Sequence, residues 1–279
     1  MMRKQNKKHR TIRKHKSGPN FTGQHLLHHP QTIKRLIDAV RLRPADTVLE
    51  IGAGKGSLTF PIAEQAGKVI AAEIDADFVA ALRAKAEGRP HIHIVHADIR
   101  RMRLPAEPFC VVANIPFSIT TAILDKLLGA EGKAFQRGAL MIEKGAARRF
   151  TQPITLEPRI LRWRMHFQLE MKAIVPRTHF APPPRVDAAI VRIVRRERPL
   201  VPFQEGNRFA AFAACLLREP RLMAAHALKG IFTPAQLKAA LKHAGVDREQ
   251  AVASLALEQW AALFLAMLQH VAPYRWPRG

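Results

Sequence analysis

The chain has 279 residues, 48% of them hydrophobic, and a formal net charge of +23 from 45 Lys and Arg against 22 Asp and Glu. This length suffices for one large core, or for a main core with a smaller companion domain. No apolar run approaches the roughly 18 residues of a membrane span, and no apolar stretch follows the charged N-terminus, so we exclude a membrane protein and a secretory signal. The excess positive charge favours a polyanionic partner over a merely solubilising surface, because each neutralised phosphate releases condensed counterions.

The N-terminal segment is the first distinct element. Residues 1–37 contain ten Lys or Arg and no acid, and residues 1–17 offer almost nothing apolar that could dock on a core. We expect residues 1–22 to form a disordered basic tail that contacts nucleic acid. Residues 133–200, with 15 basic and five acidic side chains, extend the expected basic surface.

Apolar strands alternate with helices over residues 23–198. The spacing predicts strands over 47–51, 69–73, 91–97, 109–113 and 139–142, and helices over 30–40, 57–66, 75–86 and through Leu124, Leu127 and Leu128. This alternation is typical of a parallel sheet covered on both faces, so we predict a doubly wound α/β domain. We interpret Cys110 and Cys215, which lie in separate apolar stretches, as core residues of a reduced, cytoplasmic protein.

The last third of the chain changes character. Residues 181–185, with three consecutive prolines, predict a rigid connector before a β-branched strand at 188–194 that closes the sheet. Beyond residue 198, helix starts are indicated at 233–236 and 247–250, and apolar residues recur at helical spacing over 255–271. We therefore predict a small all-α domain of residues 199–279.

A glycine-rich loop, Glu50-Ile51-Gly52-Ala53-Gly54-Lys55-Gly56, follows the first of these strands. Glycines let the backbone approach a ligand, and the helix start behind them presents free N–H groups. A dinucleotide site requires G-x-G-x-x-G, whose third glycine would fall at Ser57. The pattern E-x-G-x-G-x-G therefore argues for a ligand without a pyrophosphate, with an ordinary tight turn as the alternative.

Polar side chains stand where successive strands end, which is where doubly wound sheets bind ligands. Glu73, 21 residues after Gly52, can accept hydrogen bonds from the hydroxyls of a ribose. Asp98 can accept one from an adenine amino group while Ile99 packs on the ring, and Asn114 ends the fourth strand. Any one of these residues could cap a helix, but together they predict a site for a cofactor that contains adenosine.

The segment Asn114-Ile115-Pro116-Phe117 carries the most specific chemistry. The exocyclic amine of adenine is a poor nucleophile, because its lone pair is delocalised into the ring. Hydrogen bonds from its two N–H groups to the Asn114 side-chain oxygen and the Ile115 carbonyl would favour attack on a sulfonium methyl. Pro116 biases Ile115 away from helical backbone, and Phe117 offers a face for an unstacked base. An ordinary strand-to-turn transition is the alternative.

With these motifs, the chain resembles the Erm family of rRNA adenine N6-methyltransferases, which are relatives of the small-subunit rRNA adenine dimethyltransferases. The resemblance runs from Gly23 to the C-terminus and includes the glycine loop, Glu73-Ile74-Asp75, Asp98-Ile99, Asn114-Ile115-Pro116-Phe117, Glu143-Lys144 and residues 180–187. Residues 20–27 and Trp276-Pro277-Arg278 are similar to the branch found in Gram-positive bacilli.

The resemblance implies a monomer with a Rossmann-like, S-adenosylmethionine-dependent catalytic domain of residues 23–198 and a helical C-terminal domain. It also implies one target adenine, in the peptidyl-transferase loop of 23S rRNA, whose methylation blocks macrolides, lincosamides and streptogramin B. Cofactor contacts are implied for His25, Leu27, Gly52, Gly54, Glu73, Ile74, Asp98, Ile99 and Asn114.

Two positions depart from the family pattern. The family has Gln-Asn-Phe-Leu before its first helix, with the Asn on the cofactor; Asn20-Phe21 lies too far from the helix, so Gln24-His25-Leu26-Leu27 is the better match and His25 replaces the Asn. Phe117 stands where the family usually has Tyr. We expect stacking to survive the loss of that hydroxyl, and second-methyl transfer to weaken.

Other interpretations stay open. The chain could be a small-subunit rRNA dimethyltransferase, a DNA adenine methyltransferase, or a methyltransferase-fold protein that acts by binding alone. DNA enzymes of this chemistry commonly have Asp at the position of Asn114. The histidines His91, His93 and His96 lack a carboxylate or thiol to complete a metal site, so we expect no metal. Arg162-Trp163-Arg164 is equally compatible with an RNA contact and with a partly buried Trp.

Overall fold

The computed structural model describes residues 25–277. The predicted basic tail at residues 1–22 and the Asn20-Phe21 pair lie outside this range. Within it, no helix is both long enough and apolar enough to cross a membrane.

The described chain contains nine strands and ten α-helices. The strands are β1 (Leu26–Leu27), β2 (Thr47–Ile51), β3 (Lys68–Glu73), β4 (Ile92–His96), β5 (Phe109–Asn114), β6 (Phe135–Glu143), β7 (Phe167–Val175), β8 (Phe180–Ala181) and β9 (Ala188–Arg195). The helices are α1 (Pro30–Asp38), α2 (Thr59–Ala63), α3 (Ala76–Lys85), α4 (Thr120–Leu128), α5 (Lys144–Thr151), α6 (Pro158–His166), α7 (Gly206–Leu216), α8 (Ala224–Ala227), α9 (Pro234–His243) and α10 (Leu257–His270).

Seven strands form one sheet in the order β4-β3-β2-β5-β6-β9-β7. Strands β2 to β6 are parallel, whereas β9 runs antiparallel to both β6 and β7. One apolar cluster covers each face of the sheet, and the strands alternate between the clusters: Val111 and Ala113 of β5 enter one, Cys110 and Val112 the other. The predicted doubly wound α/β fold is confirmed.

The prediction that the strand at 188–194 closes the sheet is wrong. The predicted strand at 188–194 corresponds to β9, which lies inside the sheet, and the edge is formed by β7, where we predicted no strand. Strand β7 is exposed along one side through Gln168, Glu170 and Lys172. These side chains share the face of β7 that is open to water, so the strand has an alternating pattern in place of the continuous apolar run of strands that are buried on both faces.

Helices α7 to α10 enclose a third apolar cluster, which also takes Leu161 and Met165 from α6. Thr233 and Gln236 form the capping box at the start of α9 that the sequence indicates. The second indicated helix start, at 247–250, is wrong. Asp247 accepts from the Glu249 N–H in a turn, and α10 begins only at Leu257.

Of three side chains with alternative roles, Trp163 and Cys110 are buried and Cys215 is partly buried. Trp163 is 0% exposed and packs edge-on against Phe150, with ring centroids 5.6 Å apart, so the indole does not face RNA. Cys110 is buried and burial raises the pKa of its thiol to about 11; Cys215 packs against the helical cluster. Among residues 25–277, no three His, Cys, Asp or Glu side chains are grouped closely enough to hold a metal ion.

Candidate active site

A cavity of about 440 Å³ opens at the carboxyl ends of β2, β3, β4 and β5. The sheet order places these strand ends side by side, because β2 lies between β3 and β5. The cavity is lined by eleven of the twelve predicted site residues: His25, Gly52, Gly54, Glu73, Ile74, Asp98, Ile99, Asn114, Ile115, Pro116 and Phe117. The twelfth, Leu27, lies elsewhere.

Leu27 is buried at 2% exposure in the apolar cluster that also contains Val112, and its neighbour Leu26 lines the cavity instead. Both residues belong to β1, which pairs with β8 in a two-stranded sheet. Side chains alternate along a strand, so only one of two consecutive residues can face the cavity. Strand β1 therefore presents Leu26 to the cavity, and not Leu27, for which the resemblance implies a cofactor contact.

The glycine loop turns through left-handed backbone. Gly52, Gly54 and Gly56 have φ angles of +74°, +54° and +85°. A Cβ on Gly54 would stand 2.9 Å from Leu26 Cδ2, closer than side-chain carbons approach one another. Glycine at position 54 therefore permits both the turn and the close approach of β1 to the loop.

Glu73 is fixed by the backbone around it. The Gly54 N–H donates to Oε2 at 2.7 Å, and the Ile74 and Asp75 N–H groups donate to Oε1 at 2.8 and 2.9 Å. A carboxylate offers about four lone-pair directions. Three are used within the protein, which leaves capacity for a hydroxyl donor from a ligand.

Glu50 lies behind the loop and is 1% exposed. The Thr59 hydroxyl donates to its Oε2 at 2.5 Å, whereas Oε1 has no hydrogen-bond partner within residues 25–277. Burial raises the pKa of Glu50 to about 8; the Thr59 bond opposes this rise and the nearby charge of Glu73 adds to it. Glu50 is therefore mostly protonated at pH 7.

Asp98 is paired with Arg100, a residue that the sequence motifs do not single out. Arg100 donates from Nη2 at 2.7 Å and from Nε at 3.0 Å, and its backbone N–H donates at 2.9 Å. The hydrogen bonds from Arg100 hold the pKa of Asp98 below its usual value, so this carboxylate stays ionised. Arg100 also lines the cavity, and its position two residues after Asp98 is the only sequence signal for it.

Asn114 and Phe117 stand together at the end of β5. The Asn114 side-chain N–H donates to the backbone carbonyl of His25 at 2.7 Å. The His25 ring lies 6.3 Å from the ring of Phe117, tilted by 41°. The cavity thus contains carboxylates, which accept hydrogen bonds from hydroxyl and amino groups, and beside them an amide and an aromatic face. This arrangement suits a nucleoside next to a flat base.

Comparisons with known proteins identify the family of this chain. A sequence model of the family described as ribosomal RNA adenine dimethylase matches residues 15–269. An rRNA adenine N-6-methyltransferase from Bacillus licheniformis is 41% identical over 279 residues, covering 100% of this chain and 97% of the relative. A ribosomal RNA small subunit methyltransferase A from Synechococcus sp. is 32% identical over 257 residues, covering 88% and 92%.

Among solved structures, that of the 23S rRNA methyltransferase ErmE matches with a TM-score of 0.76 and 33% identity, covering 87% of this chain and 99% of that chain. The family match spans most of the sequence, and the relatives match it almost end to end. The chain therefore belongs to the ribosomal RNA adenine dimethylase family and is an rRNA adenine methyltransferase.

Proposed function

We propose that this enzyme transfers a methyl group from S-adenosylmethionine to the exocyclic N6 of one adenine in 23S rRNA. The observation that carries the proposal is the position of Asn114, whose amide stands in the same cavity as Glu73 and Asp98. This juxtaposition suits a target amine held next to an adenosine-containing methyl donor.

The residues present fit that donor. Glu73 has capacity for a ribose hydroxyl, Asp98 is an ionised acceptor for the adenine amino group, and Ile99 offers an apolar surface for the ring. Gly54 lines the cavity without a side chain, so a ligand can approach the backbone of the loop. S-adenosylmethionine, when bound, supplies a methyl group on a positively charged sulfur.

The chain's own groups would act on the target base. Asn114 Oδ1 and the Ile115 carbonyl oxygen accept hydrogen bonds from the two N–H groups of N6. These bonds turn the lone pair of N6 towards the methyl group. Phe117 stacks on the unstacked base, worth roughly 1–3 kcal/mol. Asn114 is not a base, and none is required, since the methylated amine loses its proton readily to water. Catalysis then rests on orientation and electrostatics.

The large-subunit target is supported by similarity. The chain matches the 23S rRNA methyltransferase ErmE over nearly the whole length of that protein. Methylation in the peptidyl-transferase loop would confer resistance to macrolides, lincosamides and streptogramin B. The small-subunit relative from Synechococcus sp. is less similar than the Bacillus licheniformis relative, and 16S rRNA is accordingly the second candidate substrate.

A basic groove supports the RNA partner. A cavity of about 350 Å³ between the end of α1 and strands β7 and β9 is lined by Arg35, Arg41, Lys172 and Arg192. Asp38, the acid in this lining, is paired with Lys34 at 2.7 Å. We propose that this groove belongs to the surface that contacts RNA phosphates, together with the basic tail.

Methylation assays test the proposal. Purified 23S and 16S rRNA are incubated with tritiated S-adenosylmethionine, and the modified nucleotide is located by the block to primer extension. We expect label on one adenine of 23S rRNA, loss of label with Asn114→Ala, and full label with the control Asn207→Ala, which changes an exposed asparagine outside the cavity. Label confined to 16S rRNA would favour the second candidate, and biological activity that survives Asn114→Ala would favour a binding role.

A further inference from the structure

We propose that His25 is a positioning residue, which orients the amide of Asn114 for catalysis and is itself anchored on the carbonyl of Pro182. The inference rests on the proposed function, because it assigns a role within methyl transfer. It differs from the implied role of His25 as a cofactor contact.

The nitrogen end of the Asn114 side-chain amide is already bound within the protein. Nδ2 donates to the His25 carbonyl at 2.7 Å, across 89 residues of sequence. Within residues 25–277, no group donates to Oδ1 of Asn114, although the residue lines the cavity. The bond to His25 therefore determines which end of the planar amide remains for a ligand, and that end is the acceptor.

Orientation decides whether the amide is useful. An amine on a purine offers hydrogens, so it pairs with Oδ1 and is repelled by Nδ2. An asparagine free to rotate about χ2 would present the wrong end part of the time, because the two ends differ little in shape. The His25 carbonyl has no donor hydrogen, so it holds Nδ2 and rejects Oδ1. Only one of the two amide orientations is then stabilised.

A second observation explains what holds the His25 carbonyl in place. His25 Nδ1 lies 2.8 Å from the carbonyl oxygen of Pro182, across 157 residues. A carbonyl only accepts, so Nδ1 carries the hydrogen and donates it. Pro182 begins a run of three prolines with restricted φ angles, and it follows directly on β8, which pairs with β1. The anchor is thus a stiff segment beside the strand that carries His25.

Two substitutions separate this role from simple packing. In His25→Asn, an amide nitrogen stands close to the place of Nδ1 and can still donate to Pro182. In His25→Leu, the branched side chain has no donor. We expect His25→Leu to lower the single-turnover rate at saturating cofactor and RNA by about fivefold to tenfold, the range of one hydrogen bond, and His25→Asn to restore it. The control His28→Leu, an exposed neighbour, should match the wild type.

Cofactor affinity, measured calorimetrically, distinguishes the two roles of His25. A positioning residue changes the rate at saturation and leaves the dissociation constant of S-adenosylmethionine within about twofold. A higher dissociation constant with an unchanged saturated rate would assign His25 to cofactor binding and overturn the proposal. Equal rates for His25→Leu and His25→Asn would also overturn it, because the Pro182 bond would then orient nothing.

A structural measurement remains informative if a variant fails to fold or if the substrate has been assigned wrongly. The chain has four asparagines, so selective ¹⁵N labelling gives few side-chain amide signals, and Asn114→Ala identifies the one of interest. We expect the Asn114 amide hydrogens to exchange more slowly than those of Asn207. Fast exchange in the wild type would overturn the proposal, whereas slow exchange without 23S methylation would leave the geometry intact and count against the proposed function.

Discussion

Replacement of Glu50 by Gln removes a buried proton from behind the glycine loop. Glu50 is 1% exposed, and burial raises its pKa from 4.5 to about 8. In the unfolded chain the carboxyl ionises near its ordinary value, so folding must return a proton to it at neutral pH. A carboxyl whose pKa rises on folding contributes stability that is complete below pH 4.5 and is lost as the pH rises through 8.

The size of this loss follows from the two pKa values. Between pH 6 and pH 8 the unfolded carboxyl is ionised while the folded one is still largely protonated, so each pH unit lowers the free energy of unfolding by up to about 1.4 kcal/mol. Over this interval the cost is about 2 kcal/mol, after allowance for the onset of ionisation in the folded state near pH 8. Glutamine has no such titration and can retain the Thr59 hydrogen bond.

Urea unfolding at pH 6, 7 and 8 measures the effect in the wild type and in Glu50→Gln. Between pH 6 and pH 8, we expect the free energy of unfolding of the wild type to fall by about 2 kcal/mol relative to that of Glu50→Gln. Glu64→Gln, which changes an exposed acid, should keep the pH dependence of the wild type. Parallel curves for the wild type and Glu50→Gln would show that Glu50 holds no proton in the folded state.

Three further predictions concern ligand sites. Gly54→Ala should weaken S-adenosylmethionine binding by about tenfold or more in calorimetry, because the Cβ meets Leu26 at 2.9 Å and the φ angle is +54°. The control Gly88→Ala, where φ is +76° and no atom lies within 4 Å of the added Cβ, should lower the stability of the fold and leave cofactor binding unchanged. Phe117→Tyr should raise the dimethylated fraction of the rRNA fragment in mass spectrometry, since the added hydroxyl can hold the monomethylated base for a second transfer; a predominantly dimethylated wild-type product would contradict this. Arg192→Gln, in the basic groove, should reduce the slope of log affinity for rRNA against log salt by about 0.7 to 0.9. An unchanged slope would show that this groove does not contact RNA phosphates.

Residues at strand ends were the most predictable part of the site. Strands β3 and β5 are mostly buried and have short apolar runs, whereas β4 alternates between apolar residues and histidines; in each case the polar residue after the pattern marks the carboxyl end of the sheet. Glu73, Asp98 and Asn114 could be found in this way because local sequence determines where a strand stops. Parallel pairing then brings the ends together without further information.

Contacts between distant segments could not be predicted. Nothing local to His25 indicates that its carbonyl accepts from Asn114 or that its ring donates to Pro182, since these bonds depend on the pairing of two-residue strands. Strand β7 alternates between apolar residues and the exposed Gln168, Glu170 and Lys172, which differs from the continuous apolar runs by which the strands buried on both faces are predicted. The protonated state of Glu50 depends on tertiary burial, which the glycine-loop pattern does not specify.

The distribution of charge separates the two ligands of the proposed reaction. The chain carries a net charge of +23, so its surface attracts RNA phosphates from a distance. Inside the cavity the acidic side chains outnumber the basic ones: Glu73 and Asp98 contribute carboxylates, and Arg100 compensates Asp98. Glu50, which lies behind the glycine loop and outside the cavity lining, adds little negative charge at pH 7 because burial raises its pKa to about 8. Carboxylates repel phosphate but accept hydroxyl and amino hydrogens and favour a nearby cation. The basic exterior would thus hold the RNA backbone outside, while the acidic cavity admits the neutral face of one base and a positively charged methyl donor.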